Sequence, residues 1–191
     1  MYGYHLQYSS LTATIPNYPK KSVDKTTANQ GDTVTYTITQ DISKATDANF
    51  CYSSMVLKDV LNANLTYQSL TVYDENNKNI TTTAGTAHYD SSNRTLKYTF
   101  SSNYLKNMRY KGQTYQFVIK AKVNSKVTAG NISNTASTII NNAYTLNSNT
   151  VTTKIPYQVI VNYVDEKGKK LADSETIKGY EKDTYTTKAK K

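Results

Sequence analysis

Residues 34–39 read Val-Thr-Tyr-Thr-Ile-Thr, an alternation of larger apolar side chains with threonines. The segment follows Asn-Gln-Gly-Asp at residues 29–32, which has the composition of a turn. A period of two places Val, Tyr and Ile on one face and the threonines on the other, as in a half-buried β-strand. The stretch therefore predicts a strand that the chain enters through a turn.

Similar segments recur along most of the chain. Of its 191 residues, 29 are Thr and 18 are Tyr, whereas Trp is absent. β-Branched and aromatic residues suit a pleated sheet, and turn sequences separate the segments. Only residues 102–108 could form a helical turn. We expect an all-β fold, a β-sandwich, with further strands at residues 55–60, 65–73, 95–100, 114–123, 132–140 and 143–154.

The charge and the rarer residue types argue against several functions. The net charge is +9, but the lysines are scattered and the arginines are only Arg94 and Arg109, so we do not expect nucleic-acid binding. The chain has one cysteine, Cys51, and two histidines, His5 and His88. We therefore expect no internal disulfide, no metal centre, no Ser-His-Asp triad and no cofactor.

Shifts in composition divide the chain into three parts. Residues 1–19 are rich in Tyr and form a leader segment, with a short strand expected at residues 11–15. Residues 20–155 form the sandwich domain, which ends at an Ile-Pro hinge. Residues 156–191 carry more charge and begin with a strand at residues 157–164. This last part is too short to bury a core alone, so we expect it to be partial or to lean on the sandwich.

Targeting and membrane segments are not evident in the sequence. No stretch approaches the roughly 18 apolar residues of a membrane-spanning helix. The first residues do not resemble a secretion signal. We therefore expect no membrane insertion of this segment, and either a piece of a larger chain or a secretion signal that has been removed.

Five short motifs lie in order along the sandwich domain. PKKSVDK at residues 19–25 precedes GDTVTYTI at residues 31–38, and VLKDVL at residues 56–61 precedes LTY at residues 65–67. GNISNTA at residues 130–136 comes near the end. Together they resemble the motifs of isopeptide-forming fimbrial and adhesin domains of Gram-positive surface proteins. The resemblance implies an Ig-like, collagen-adhesin-like β-sandwich.

The resemblance also implies a self-cross-linking reaction. In that family, a lysine on the first strand and an asparagine near the last condense to an amide and release ammonia, with an acidic residue as catalyst. Matched by motif, the cross-linked residues are Lys21 and Asn134, and the catalytic residue is Asp59. Burial would favour the neutral amine and the protonated acid that this chemistry needs. The reaction runs once per molecule, so it is self-modification and not enzymatic turnover.

Strand periodicity, taken alone, supports the same three residues. Lys21, Asp59 and Asn134 each share a face with apolar residues two positions away, where polar groups are seldom placed. Each residue type also has an ordinary interpretation as a solvated lysine, a strand-end aspartate or a turn asparagine. Alternative site residues are Lys20, Asn131, Asp24, Asp32 and Asp41.

The charged C-terminal part resembles a second family. VIVNYVDEKGKKL at residues 159–171, SETI at residues 174–177 and YTTKA at residues 185–189 are similar to the first half of a mucin-binding-protein (MucBP) repeat. The resemblance implies a partial β-grasp-like fold. It also implies host mucin or glycans as partners of the parent protein.

These observations favour a structural stalk or adhesin module, extracellular and anchored to the cell wall of a Gram-positive bacterium. We expect a monomer that contacts neighbouring domains of the same chain. The alternative is a module that binds host glycans or mucin through exposed Tyr, Asn and Thr side chains. A concave groove lined by tyrosines and polar groups would favour the alternative. Buried polar residues only at the bond site would favour the structural role.

Overall fold

A computed structural model describes residues 17–42, 52–108, 112–125, 127 and 129–187. The predicted strand at residues 11–15 and the cysteine, Cys51, lie outside the described residues. The elements of the described part are β1 Lys20–Val23, β2 Thr33–Ile42, β3 Met55–Val60, β4 Leu65–Tyr73, β5 Gly85–Asp90, β6 Thr95–Phe100, α1 Ser102–Met108, β7 Gln113–Val123, β8 Gly130–Asn134, β9 Ala136–Ile140, β10 Tyr144–Asn147, β11 Val151–Ile155, β12 Tyr157–Val164 and β13 Lys170–Gly179.

Two antiparallel sheets pack face to face and enclose the hydrophobic core. One sheet has the strand order β1-β2-β7-β4, and the other has the order β10-β9-β3-β6-β5. Aromatic rings join them across the core, since Tyr98 of β6 packs edge-on against Phe117 of β7 with 5.8 Å between centroids. The predicted all-β sandwich is confirmed.

The alternating segment that predicted a strand lies inside β2. Val34, Tyr36 and Ile38 are fully buried, whereas the intervening threonines are only half-buried. β2 pairs with β1 on one side and β7 on the other, so its apolar face covers the centre of the core. The predicted strands at residues 55–60, 65–73 and 95–100 are confirmed at the same bounds, as is the helical turn.

The segment at residues 132–140 was predicted as one strand, and that prediction is wrong. It consists of β8 and β9, separated by Thr135. β8 pairs with β11, whereas β9 pairs with β3 in the five-stranded sheet. The chain therefore changes partner within one residue, while the alternation of buried and more exposed side chains continues unbroken. The predicted strand at residues 143–154 likewise divides into β10 and β11.

Sequence patterns did not predict β5 and β13. β5 is an edge strand with exposed residues at three of its six positions, so it lacks a clear apolar alternation. Its first residue is Gly85, where an added Cβ would lie 2.2 Å from the carbonyl oxygen of Thr99. A glycine at this point allows β5 to approach β6 closely.

The segment that follows β1 reaches β11, the last strand of the sandwich. Beyond β1, Thr27 forms a parallel bridge with Lys154 of β11, and the Ala28 amide donates to the Lys154 carbonyl over 3.0 Å. β11 in turn pairs with β8. The start and the end of the sandwich therefore lie side by side, close to β8.

The C-terminal part is a hairpin of β12 and β13 that buries little surface. Its apolar side chains Val159, Ile160 and Leu171 are 44%, 64% and 65% exposed. The predicted strand at residues 157–164 is confirmed as β12. Among the described residues, no helix combines the length and apolar character needed to cross a membrane.

Candidate functional site

The three residues predicted to form the cross-linking site are all buried. Lys21, Asp59 and Asn134 are 4%, 1% and 3% exposed, respectively. Lys21 lies in β1, Asp59 in the central part of the five-stranded sheet, and Asn134 at the end of β8. The inward orientation expected from strand periodicity is therefore observed for each of them.

Lys21 and Asp59 form a buried pair that connects the two sheets. The Lys21 Nζ donates a hydrogen bond to Asp59 Oδ2, and neither side chain has any exposed surface. The Tyr36 ring of β2 forms one wall, with its centroid 4.8 Å from Lys21 Nζ. Burial raises the pKa of Tyr36 to about 12, so its hydroxyl stays protonated.

Asn134 lies diagonally across from Asp59. On the β9 side, the residue directly opposite Asp59 is Ala136, two positions after Asn134, while Asn134 itself is opposite Val151. Diagonal neighbours of this kind are within reach of their side chains. The Asn134 side chain is close enough to the Asp59 carboxyl to lower its pKa, although burial raises that pKa more.

The site contains buried polar atoms without a hydrogen bond of normal geometry. Among the described residues, Asn134 Oδ1, Asn134 Nδ2 and Asp59 Oδ1 have no such partner. A buried polar atom left unpaired costs about 1–3 kcal/mol. A packing role alone does not account for three such atoms beside a buried lysine.

Burial shifts both ionisable groups toward their neutral forms. It lowers the pKa of Lys21, against the attraction of Asp59, which raises it. It raises the pKa of Asp59, against the charge and hydrogen bond of Lys21 and the nearby Asn134 side chain, which lower it. A neutral amine is a nucleophile and a protonated carboxyl is a hydrogen-bond donor, so this arrangement suits attack on an amide carbonyl.

Asn149 holds the backbone of Lys21 and was not predicted from the sequence. The Lys21 amide donates to Asn149 Oδ1 over 2.8 Å, and Asn149 Nδ2 donates to the Lys21 carbonyl over 2.9 Å. The amide side chain thus replaces a neighbouring strand at this point. The two residues are 128 positions apart, and no local sequence signal connects them.

The alternative site residues lie outside the buried site. Lys20 and Asn131 are exposed. The three other aspartates lie at or near the surface, where Asp24 accepts from the Thr35 amide and Asp41 accepts from the Thr114 hydroxyl. Asp32 accepts from the Asn29 amide in the turn before β2.

A groove lies where the hairpin meets the sandwich, and it is called the junction groove below. It has a volume of about 350 Å³ and includes Asn131, Lys154, Tyr157, Tyr180, Glu181 and Lys182 in its lining. Tyr157 and Tyr180 are 49% and 39% exposed. The groove therefore combines two accessible aromatic rings with amide, ammonium and carboxylate groups.

The pH dependence of stability tests the buried pair. In Lys21→Met, we expect Asp59 to stay protonated in the folded state, whereas the unfolded chain loses this proton above the ordinary pKa of 3.8. The folded state then binds the extra proton, so stability should fall as pH rises above that value, by up to about 1.4 kcal/mol per pH unit. Urea unfolding at a series of pH values measures the slope.

Lys21→Met/Asp59→Asn is the matched control for this slope. Its amide keeps the shape of the protonated acid but does not titrate, and both variants lack Lys21. We expect the double variant to show no such slope and to be the more stable of the two at neutral pH. Identical pH profiles for the two variants would contradict the assigned environment of Asp59.

Comparison with known proteins gives two family matches. The family model for the cell surface antigen I/II C2 terminal domain matches residues 12–155, and the MucBP domain model matches residues 158–191. No curated protein sequence matches the chain significantly.

Solved structures with the same fold come from bacterial adhesins and pilins. The N-terminal domain of a Streptococcus gordonii adhesin is 23% identical, with a TM-score of 0.65 over 73% of this chain and 33% of its own. The C-terminal domain of AspA, an antigen I/II-family protein of Streptococcus pyogenes, is 17% identical, with a TM-score of 0.62 over 72% and 46%. Two domains of the major pilin SpaD from Corynebacterium diphtheriae are 22% identical, with a TM-score of 0.64 over 80% and 58%.

These likenesses establish the fold, and the chain spans only a third to somewhat over half of each of these solved structures. The neighbours have the Ig-like architecture of adhesin and pilin domains, as expected from the motifs. The first family match covers well over half of the sequence and includes all the strands of the sandwich. The protein therefore belongs to the cell surface antigen I/II C2 terminal domain family, and a MucBP-type segment follows its sandwich.

Proposed function

We propose that residues 20–155 are a structural module of a Gram-positive cell-surface adhesin or pilus-like protein, stabilised by an autocatalytic isopeptide bond between Lys21 and Asn134. The observation that carries the proposal is the convergence of a buried lysine, a buried acid and an unpaired buried asparagine at one point. Residues 1–19 would then be a leader segment, and residues 156–191 the beginning of a mucin-binding repeat.

The proposed reaction follows from the protonation states that burial favours. The neutral Lys21 amine attacks the Asn134 side-chain carbonyl carbon, while the protonated Asp59 carboxyl donates a hydrogen bond to the carbonyl oxygen. Asp59 then transfers protons from the attacking nitrogen to the leaving nitrogen. A new C–N bond forms, the original one breaks, ammonia leaves and Asp59 returns to its starting state.

The proposed bond would stabilise the sandwich by restricting its unfolded state. A cross-link between β1 and β8 closes a loop of about 110 residues, which the loop-entropy model for disulfides values at about 4.7 kcal/mol. That is a large share of the usual net stability of a domain. Unlike a disulfide, an amide is not reduced. Because β1 also lies against β11, the bond would join the two ends of the sandwich through which tension enters a stalk.

Intact-mass spectrometry of the purified chain tests the bond directly. We expect the wild-type protein to be lighter than its sequence mass by one ammonia. The variants Lys21→Ala, Asp59→Ala and Asn134→Ala should each have the full mass, and fragmentation of the wild type should yield a branched peptide that joins Lys21 to Asn134.

The exposed neighbours of the site provide matched controls. Lys20→Ala and Asn131→Ala remove the same residue types from the same strands, so both variants should still lose ammonia. A full mass in the folded wild type would contradict the proposal. So would an ammonia loss that persists in Lys21→Ala, since an asparagine can also lose ammonia by cyclising on its own backbone.

Asn149 is expected to accelerate bond formation because it positions Lys21. In Asn149→Ala, both hydrogen bonds to the Lys21 backbone are lost, and bond formation should slow by about tenfold or more as the amine loses its alignment. Protein made by cell-free translation and sampled over time gives the rate from intact mass, while circular dichroism reports the folded fraction.

Asn147→Ala is the control for Asn149→Ala, because Asn147 is an exposed asparagine two positions away. It should leave the rate unchanged. Equal rates in folded Asn149→Ala and in the wild type would show that Asn149 has a structural role only.

The junction groove favours a second candidate function, the binding of a neutral glycan. Its two exposed tyrosine rings can stack on the apolar face of a sugar, and Asn131 and Glu181 can bind hydroxyl groups. This candidate is compatible with the cross-link, since the groove lies outside the buried site.

Saturation-transfer NMR with N-acetyllactosamine tests the second candidate. We expect transfer to the sugar in the wild type and a loss of at least about tenfold in affinity in Tyr157→Ala/Tyr180→Ala. Tyr144→Ala removes a tyrosine of similar exposure, 41%, from β10, outside the groove lining, and should bind normally. Equal transfer in all three proteins would contradict a site in the groove.

A further inference from the structure

Three basic side chains lie side by side on the outer face of the five-stranded sheet. Lys58 of β3 is directly opposite Lys97 of β6, and Lys97 is directly opposite His88 of β5. The neighbours of Lys58 and Lys97 along β3 and β6 are buried in the core, so both lysines point outward. His88 is directly opposite Lys97 and therefore lies on the same outer face. They are called the basic row below.

In the part of the chain that the structure describes, the lysines of the basic row are not paired directly with carboxylates. Within the described ranges, the ammonium groups of Lys58 and Lys97 form no ion pair or hydrogen bond. Side chains directly opposite each other have Cβ atoms about 5 Å apart, and like charges in this arrangement are destabilising. The row therefore costs stability in the free protein.

The Asp90 carboxylate lies beside the row, and hydrogen bonds from its own turn use three of its roughly four acceptor positions. Asp90 of β5 accepts from the Ser92 amide over 2.9 Å, from the Ser92 hydroxyl over 2.6 Å and from Asn93 Nδ2 over 2.6 Å. These bonds hold the turn between β5 and β6. Hydrogen bonds from Ser92 lower the pKa of Asp90, with a smaller contribution from His88, so the carboxylate stays ionised.

The basic row lines a shallow cleft of about 210 Å³ together with Asp90, Asn93 and Thr95. This volume is below the usual range for a drug-sized ligand and suits a single sugar ring or a charged substituent. The cleft offers two ammonium groups to an anion and a carboxylate that can accept from hydroxyl groups. A bare inorganic anion would use the first feature and be repelled by the second.

We propose that this cleft binds an acidic saccharide. Its anionic substituent would pair with the ammonium groups of Lys58 and Lys97, and a ring hydroxyl would donate a hydrogen bond to Asp90. The ligand class is a sugar that carries one carboxylate or one sulfate group beside free hydroxyls. Binding would neutralise the repulsion within the basic row, so part of the affinity comes from relief of that repulsion. The site is separate from both the buried cross-linking site and the junction groove.

An amide-resolved NMR titration of the whole chain tests the proposal. The probes are N-acetylneuraminic acid and galactose sulfate, which distinguish a carboxylate ligand from a sulfate ligand, and neutral galactose as the uncharged control. We expect saturable shifts at the basic row with at least one acidic sugar and none there with galactose. In Lys58→Gln/Lys97→Gln, affinity should fall by at least about tenfold.

Lys120→Gln/Lys122→Gln is the matched control, because it makes the same change in net charge on exposed residues of the other sheet. Its affinity should change by less than about twofold. Equal weakening in both double variants would show non-specific charge attraction and overturn the proposal. Inorganic sulfate that matches the acidic sugars in affinity would also overturn it, because the sugar ring would then contribute nothing.

Lys58→Gln/Lys97→Gln also has a readout that does not depend on a ligand. Removal of the repulsion should make this variant at least as stable as the wild type in thermal unfolding. Loss of binding in this variant would therefore come from an intact fold. A clear loss of stability would instead assign the two lysines a structural role and overturn the proposal.

Discussion

An ammonium and a carboxylate removed from water each lose several kcal/mol of hydration, and the pair formed by Lys21 and Asp59 has no exposed surface. The sandwich can hold this pair because burial favours the neutral form of each group. The surrounding structure provides the constraint. β1 is held by β2 on one side and by the Asn149 side chain on the other, while Asp59 sits in a central strand.

The position of Asn134 depends on the point where the chain changes sheets. β8 ends at Asn134 against β11, and β9 begins at Ala136 directly opposite Asp59. A single residue separates these two pairings. Asn134 therefore lies close to Asp59 of the five-stranded sheet and to Lys21 of β1 in the other sheet. A reactive pair held in contact there would gain the rate advantage of a pre-arranged geometry. The segment that follows β1 and the last strand of the sandwich, β11, also lie side by side.

The outer surface is organised differently from the core. Eight polar or charged residues are buried among the described ones, and three of them, Lys21, Asp59 and Asn134, meet at one site. Outside, the strands carry threonines, tyrosines and lysines. Two outer features stand out because ordinary packing does not require them: the exposed rings of the junction groove and the like charges of the basic row. A family fold of this kind serves as a scaffold, and its surface side chains can vary without disturbing the buried cross-linking site.

Local periodicity by itself determined the sandwich, the bounds of β3, β4 and β6, and the inward orientation of Lys21, Asp59 and Asn134, because a period of two assigns each side chain to a face. It could not reveal the break at Thr135, where alternation continues although the pairing partner changes. Edge strands such as β5 bury too little to leave a pattern. Only the tertiary structure decided two other features: the hydrogen bonds between Asn149 and the Lys21 backbone, and the alignment of Lys58 with Lys97. Both depend on which distant segments become neighbours.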